Sequence, residues 1–185
     1  MNLLSIDFDG VLHRASDKIQ LNFRPNAAPW EMEMALKAQK RFVFAPLLAN
    51  AIGQSNVSVV IHSTWRKRFS DATLKQFLPQ EIAVKVLSLD GQIERRESMT
   101  SDEYLAQALE IIAPDSVCVV DDRPAFFESG HVQRWMSAND GQFVWCEPDV
   151  GLQDEVVIQK IQSWAGALHE THRHGEAQSS TERPS

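Results

Sequence analysis

Apolar residues in this chain come in two patterns, short solid runs and longer stripes of helical period. The solid runs are Leu3-Leu4-Ser5-Ile6, Val57 to Ile61, Ile82 to Leu89 and Ser116 to Val120, with a shorter one around Phe143 to Trp145. Runs of this length, rich in β-branched residues and lacking strict alternation, predict strands buried on both faces, the first over residues 2 to 7. Between them lie helix signals. Trp30 to Lys40 is rich in helix formers. Pro46 suits the first turn of a segment running to Ile52, where Phe44, Leu47, Leu48, Ala51 and Ile52 share a face and Gly53 provides a stop. Asp71 is positioned to cap a short helix with Leu74, Phe77 and Leu78 inward, ended by Pro79. Thr100-Ser101-Asp102-Glu103 reads as a capping box for a helix that buries Leu105, Ala108, Leu109 and Ile112. A last helix is expected from about Asp154 to Leu168, with Val157, Ile161, Trp164, Ala165 and Leu168 on one stripe. Strands alternating with helices predict an α/β fold: a Rossmann-like parallel sheet of about five strands, helices on both faces and no large cap domain.

Residues 13 to 29 are polar and broken by Pro25 and Pro29, and beyond His169 the chain loses apolar periodicity. The expected organisation is one domain over residues 1–168 and a disordered polar tail over 169–185, in which His169, His172 and His174 are solvated. A length of 185 residues is ample for one core. The net charge of -7 argues against broad binding to nucleic-acid duplexes. Two cysteines, Cys118 and Cys146, offer neither metal spacing nor a disulfide framework, which suits a reducing cytoplasm. The N-terminus has no basic segment before its apolar run, which Asp7 interrupts, so no signal peptide is expected, and no apolar stretch reaches membrane-spanning length.

Chemistry gathers where the strands end. The first run ends in Asp7-Phe8-Asp9-Gly10, the second in His62-Ser63-Thr64, the fourth in Asp121-Asp122. In a parallel sheet all three ends lie on one edge, where ligands of such folds bind. Carboxylates converging there repel one another unless a cation intervenes. Hard oxygen donors suit Mg²⁺, which keeps several waters and accepts a phosphate oxygen as well. A carboxylate can attack a phosphoryl group, and a second acid can protonate the leaving oxygen and later activate water.

On these residues the chain resembles the haloacid dehalogenase (HAD) superfamily. Its first motif, an apolar strand ending in Asp-x-Asp-Gly, matches Ile6 to Val11; its second matches Val59 to Ser63, with Thr64 the alternative alignment; its fourth, an apolar strand ending in an acidic pair, matches Val117 to Asp122. The resemblance covers roughly residues 1 to 145. Ser63-Thr64-Trp65-Arg66 and Asp121-Asp122-Arg123-Pro124 also resemble the phosphatase domains of multidomain RNA-repair proteins and, more loosely, polynucleotide kinase-phosphatases. The resemblance implies a Mg²⁺-dependent phosphatase working through an aspartyl-phosphate, with a phosphorylated substrate such as a nucleotide or polynucleotide end. Asp7 would be the nucleophile and Asp9 the acid and base. Ser63 would hold the phosphoryl group, and Thr64, Arg66 and Arg123 would contact substrate. Asp7, the main-chain carbonyl of Asp9, and Asp122 would hold the metal; Asp121 would orient a cation and reach the metal through water. The third-motif cation of the family, usually Lys, has only Arg95 or Arg96 to match it. Trp65 is either core packing or a surface for stacking a base, and His62 is expected to be partly buried and hydrogen-bonded. Two other readings stand beside this one: a phosphate-binding or regulatory module without turnover, and carbon–halogen hydrolysis, against which Asp9 speaks.

Overall fold

The computed structural model describes residues 1–17, 28–38, 41–94, 98–123, 130–139 and 141–166. Four strands, β1 (Asn2–Ile6), β2 (Val57–Ile61), β3 (Ser116–Asp121) and β4 (Gln142–Trp145), form one parallel sheet in the order β2-β1-β3-β4. The side chains of each strand alternate between two faces, and both faces are apolar. Leu4, Ile6, Val59, Ile61, Cys118, Val120 and Val144 meet one core; Leu3, Val60, Val117 and Val119 meet the other. Removing every such side chain from water, at about 1.5–3 kcal/mol each, is what holds a sheet without polar faces between two helical layers.

The first core is closed by α1 (Pro29–Ala38), α2 (Ala45–Ile52), α3 (Asp71–Lys75), α4 (Gln80–Ala83) and α7, helical over residues 155–166. The second is closed by α5 (Ser101–Ile112) and α6 (Gly130–Ala138). The expected signals act as anticipated at several ends. Gly53 stops α2 at φ +43 with its N–H on the Ala49 carbonyl. Thr100 and Glu103 form the reciprocal capping box of α5, and Asp154 caps α7 through the Val156 N–H at 2.8 Å. No helix among the described residues is long and apolar enough to cross a membrane.

Four expectations need correction. Among the described residues the sheet has four strands, not five, because Ile82 to Leu89 is not a strand. Its buried residues are Ile82, Val86 and Leu89, a spacing of four and three, while Val84 is 69% exposed. Pro79 therefore opens a helical turn, and only Val86 reaches the sheet, as a single parallel bridge to Val59. Ser70 rather than Asp71 caps α3, accepting from the Thr73 N–H at 3.1 Å. Leu47 lies outside the α2 stripe and is exposed. Finally α6 has no counterpart in the sequence reading; over its described residues it buries Val132 and Met136. The expected tail, the tail histidines and Leu168 lie outside the described residues.

Candidate functional site

Strand order decides where the site lies. The chain leaves β1 toward β2 on one side and returns to β3 on the other, so the loops after β1 and β3 diverge and leave a crevice at their carboxyl ends. Asp7 follows β1 directly, with its N–H on the Val120 carbonyl at 3.1 Å, and Asp121 is the last residue of β3. Two neighbouring strands thus deliver their acids to the same crevice. Asp7, Asp121 and Asp122 bring carboxylate oxygens within 4.8 Å of one another.

Asp7 is buried, and its Oδ1 accepts the Phe8 main-chain N–H at 2.8 Å, which sets the plane of the carboxylate. Burial raises its pKa; Asp121 raises it further, while His62, a Ser63 hydrogen bond and Arg123 pull it down. Asp122 stands over Gly10. A Cβ on Gly10, whose φ is +69, would lie 2.2 Å from the Asp122 carboxylate, so only glycine permits both the turn and this approach. Burial, together with Asp7 and Asp121, pushes the Asp122 carboxyl up to about 7.

Asp121 behaves oppositely. Its Oδ2 faces His62 Nε2 at 2.9 Å, and its two oxygens accept Arg123 Nε and Nη2 at 3.1 and 2.8 Å. Burial alone would raise its pKa, but these hydrogen bonds and charges outweigh it and hold the carboxylate ionised. His62 is fully buried, with Nδ1 2.7 Å from the Ser5 hydroxyl. Ser5, His62 and Asp121 therefore form a polar chain across three strands beneath the site. It follows from the pleat: Ser5, His62 and Asp121 share the parity of Leu3, Val60 and Val119, the residues of the second core.

Arg123 does more than its place after the acidic pair suggests. Its N–H closes an Asx turn on Asp121 Oδ1 at 2.7 Å, and its guanidinium reaches within 3.8 Å of Asp7 Oδ2. It is thus a cation shared by two of the three acids. Arg95 and Arg96, the expected cations, lie outside the described residues.

Asp9 sits apart from the acidic cluster. His13 Nε2 is 2.8 Å from its Oδ1, and Trp65 Nε1 donates to its Oδ2 at 2.9 Å. Burial raises its pKa, but the His13 and Trp65 hydrogen bonds outweigh it and bring it below the ordinary carboxyl value. His13 is a residue the sequence reading missed. Its signal was an imidazole four residues after an acid in a helical turn, where Leu12 N–H bonds the Phe8 carbonyl at 2.9 Å.

The remaining expected contacts separate cleanly. Ser63 is buried against Asp7, whereas Thr64 is exposed. Trp65 is 3% exposed among Phe8, Phe42 and Phe69, so its ring is core and offers no face to a base. Arg66 is buried too: it is paired with Asp71 through both terminal nitrogens and lies 3.8 Å from the centre of the Tyr104 ring. Lys67 and Arg68 are exposed beside it.

The acidic cluster fits a hard divalent cation. Three oxygen donors converge, two of them with pKa values raised by burial and by their acidic neighbours, and the missing Cβ of Gly10 leaves room for the Asp122 carboxylate to join them. Compared with known families, residues 3–157 match the model of the HAD domain in Swiss Army Knife RNA repair proteins. Comparisons with curated proteins and with solved structures yield no match.

Proposed function

Since the chain belongs to the family of HAD domains found in Swiss Army Knife RNA repair proteins, and so to the HAD-type hydrolases, we propose that it is a Mg²⁺-dependent phosphatase acting on phosphomonoesters at nucleotide or polynucleotide ends. The observation that carries this reading is the meeting of Asp7, Asp121 and Asp122 beside the Arg123 guanidinium at the switch point of the sheet. Mg²⁺ held by Asp7, Asp122 and the Asp9 main-chain carbonyl would supply positive charge to the phosphoryl oxygens and to the acids around it.

In the first half-reaction an Asp7 carboxylate oxygen bonds to phosphorus while the bond to the leaving oxygen breaks, and that oxygen takes a proton from Asp9. In the second, Asp9 removes a proton from water, the water oxygen bonds to phosphorus, and the bond to Asp7 breaks. Phosphate leaves and Asp7 is restored. Arg123 and Ser63 hold the equatorial oxygens as charge spreads over them, with Asp121 and His62 fixing the arginine from behind. Arg123 thereby acts as a phosphate-holding cation in its own right, while Arg95 and Arg96 lie outside the described residues. With no cap domain over the site among the described residues, a bulky leaving group such as a polynucleotide can approach, and the net charge of -7 favours recognition of an end over the length of a strand.

A phosphate-release screen tests the proposal, comparing nucleotides, 3′- and 5′-phosphorylated oligonucleotides, sugar phosphates and phosphopeptides with and without Mg²⁺. Wild type should turn over an end-phosphorylated substrate only with the metal. Asp7→Asn should stay folded and lose activity by roughly three orders of magnitude or more. A protein that binds phosphate analogues but releases phosphate from nothing is instead a binding module. Activity that survives in purified Asp7→Asn assigns the nucleophile elsewhere.

A further inference from the structure

The acid and base of this reading is gripped from both sides by ring nitrogens that the reading does not use. Asp9 lies on the turn after β1, its side chain 41% exposed, where a carboxylate would ordinarily rotate freely. Instead each oxygen meets one buried donor, His13 on Oδ1 at 2.8 Å and Trp65 on Oδ2 at 2.9 Å. We propose that His13 and Trp65 form a two-donor clamp that positions the Asp9 carboxyl group for proton exchange with the leaving oxygen and then with water. This rests on the reading of Asp9 given above.

Packing does not explain the choice of histidine. His13 is fully buried, edge-on to Phe42 with ring centres 5.4 Å apart and 5.9 Å from Trp65. Its Nδ1 has no hydrogen-bond partner in that apolar cage. A buried nitrogen left unpaired costs stability, so a leucine or phenylalanine would serve a purely structural role better. What histidine adds is a donor at Nε2. Asp9 as a carboxylate can only accept, which places the ring proton at Nε2. Trp65 follows the same logic: its ring belongs to the aromatic core, and its single N–H emerges toward Asp9.

The clamp also ties two strand ends together, since His13 belongs to the loop after β1 and Trp65 to the 3₁₀ turn after β2 (Thr64–Lys67). Both rings are rigid and packed, so the carboxyl plane they define is rigid as well. Both donors favour the ionised form, so the clamp stabilises the carboxylate that remains once Asp9 has given its proton to the leaving oxygen. Each oxygen keeps a second lone pair, where the proton sits before transfer and after its removal from water without breaking either contact.

The experiment uses purified full-length wild type, His13→Leu, His13→Gln, Trp65→Phe and Asp9→Asn with saturating Mg²⁺. The substrates are 4-nitrophenyl phosphate, whose leaving group needs no proton, and phenyl and ethyl phosphate, whose leaving groups do. The quantity read is kcat/KM, which reports steps up to loss of the leaving group. His13→Leu and Trp65→Phe should lose about 10- to 100-fold on phenyl and ethyl phosphate and little on the nitrophenyl ester, a share of what a general acid supplies. His13→Gln, which keeps an N–H donor, should recover part of the loss. Melting temperatures and the Mg²⁺-induced rise in melting temperature should show that the variants fold and hold metal. Equal losses on all esters in both variants, or no loss in either, overturn the clamp. Should Asp9→Asn itself show no leaving-group dependence, the assignment of Asp9 fails first; should wild type hydrolyse none of the esters, the phosphatase reading fails and the clamp with it.

Discussion

Single residues set the tolerances of the site, and Gly10 is the tightest of them. Its positive φ is the ordinary reason for a glycine in a turn, but the Asp122 carboxylate occupying the space of a Cβ is a separate one. Gly10→Ala would have to displace Asp122 or unwind the turn, and either change spoils the convergence of acids. The expected outcome is a folded protein that has lost most of its Mg²⁺-induced thermal stabilisation, checked by melting with and without the metal, and activity lowered in parallel. An unaltered Mg²⁺ response in Gly10→Ala would show that Asp122 is no ligand. At the same scale, Ser63 and Thr64 divide the work by position. Ser63 accepts the Trp65 N–H at 3.4 Å as it opens the 3₁₀ turn and lies against Asp7, while Thr64 faces solvent.

Among the elements, the short segments after β2 depend on a buried ion pair. Arg66 and Asp71 have side chains 7% and 0% exposed, and Asp71 also accepts the Leu89 N–H at 2.8 Å while its own N–H bonds Asp90. One carboxylate therefore fastens the 3₁₀ turn, α3 and the turn before Ile93. Removing it leaves a guanidinium buried without its counter-charge, which costs about 3–5 kcal/mol. Asp71→Ala should lower stability by that amount in chemical denaturation. A change of under 1 kcal/mol would mean that Arg66 relaxes into solvent. The helices show why segments of similar composition fold differently. α5 carries its start signal in its own sequence, whereas α6 is fixed by Val132 and Met136 packing on the apolar face of the sheet and ends with the Gly141 N–H on the Met136 carbonyl at 2.9 Å.

For the whole molecule, the acidic cluster couples stability to pH and to metal. Burial and its acidic neighbours raise Asp122 from an ordinary 3.8 to about 7, and Asp7 is raised as well. Between those values the folded chain holds a proton that the unfolded chain has released. Metal-free stability from this group is therefore full below about pH 4, falls as pH rises toward 7, and levels off above it. Asp9 and Asp121, both lowered, contribute stability that is present above the ordinary carboxyl pKa and lost only on further acidification. Thermal melts in chelator between pH 5 and 8 should thus show a decline in wild type that Asp122→Asn flattens. Mg²⁺ must displace the Asp122 proton, so its apparent affinity should weaken by about tenfold per unit below pH 7. An affinity independent of pH in that range would remove Asp122 from the metal site.

Much of this protein was legible in the chain because it depends on local order. The buried strands announce themselves as solid β-branched runs, and the caps of α5 and α7 and the stop of α2 are properties of a few adjacent residues. Asp7, Ser63 and the Asp121-Asp122 pair are legible for a related reason: a parallel sheet sends every strand end to one edge, so strand identity alone predicts their meeting. The departures share a different physical cause. Ile82 to Leu89 took its form from the surface available to it, with Val86 alone bridging the sheet. Arg95 and Arg96, the expected third-motif cations, lie outside the described residues; the guanidinium that spans Asp7 and Asp121, that of Arg123, is a neighbour of Asp7 only because β3 lies beside β1. Trp65 could have been core or contact until its ring was seen among phenylalanines with its N–H on Asp9. His13 carries no motif at all. Hydrophobic period and turn chemistry are written between near neighbours in the chain, but the partner of a buried polar atom is chosen by the packing of strands far apart in sequence, and that choice exists only in three dimensions.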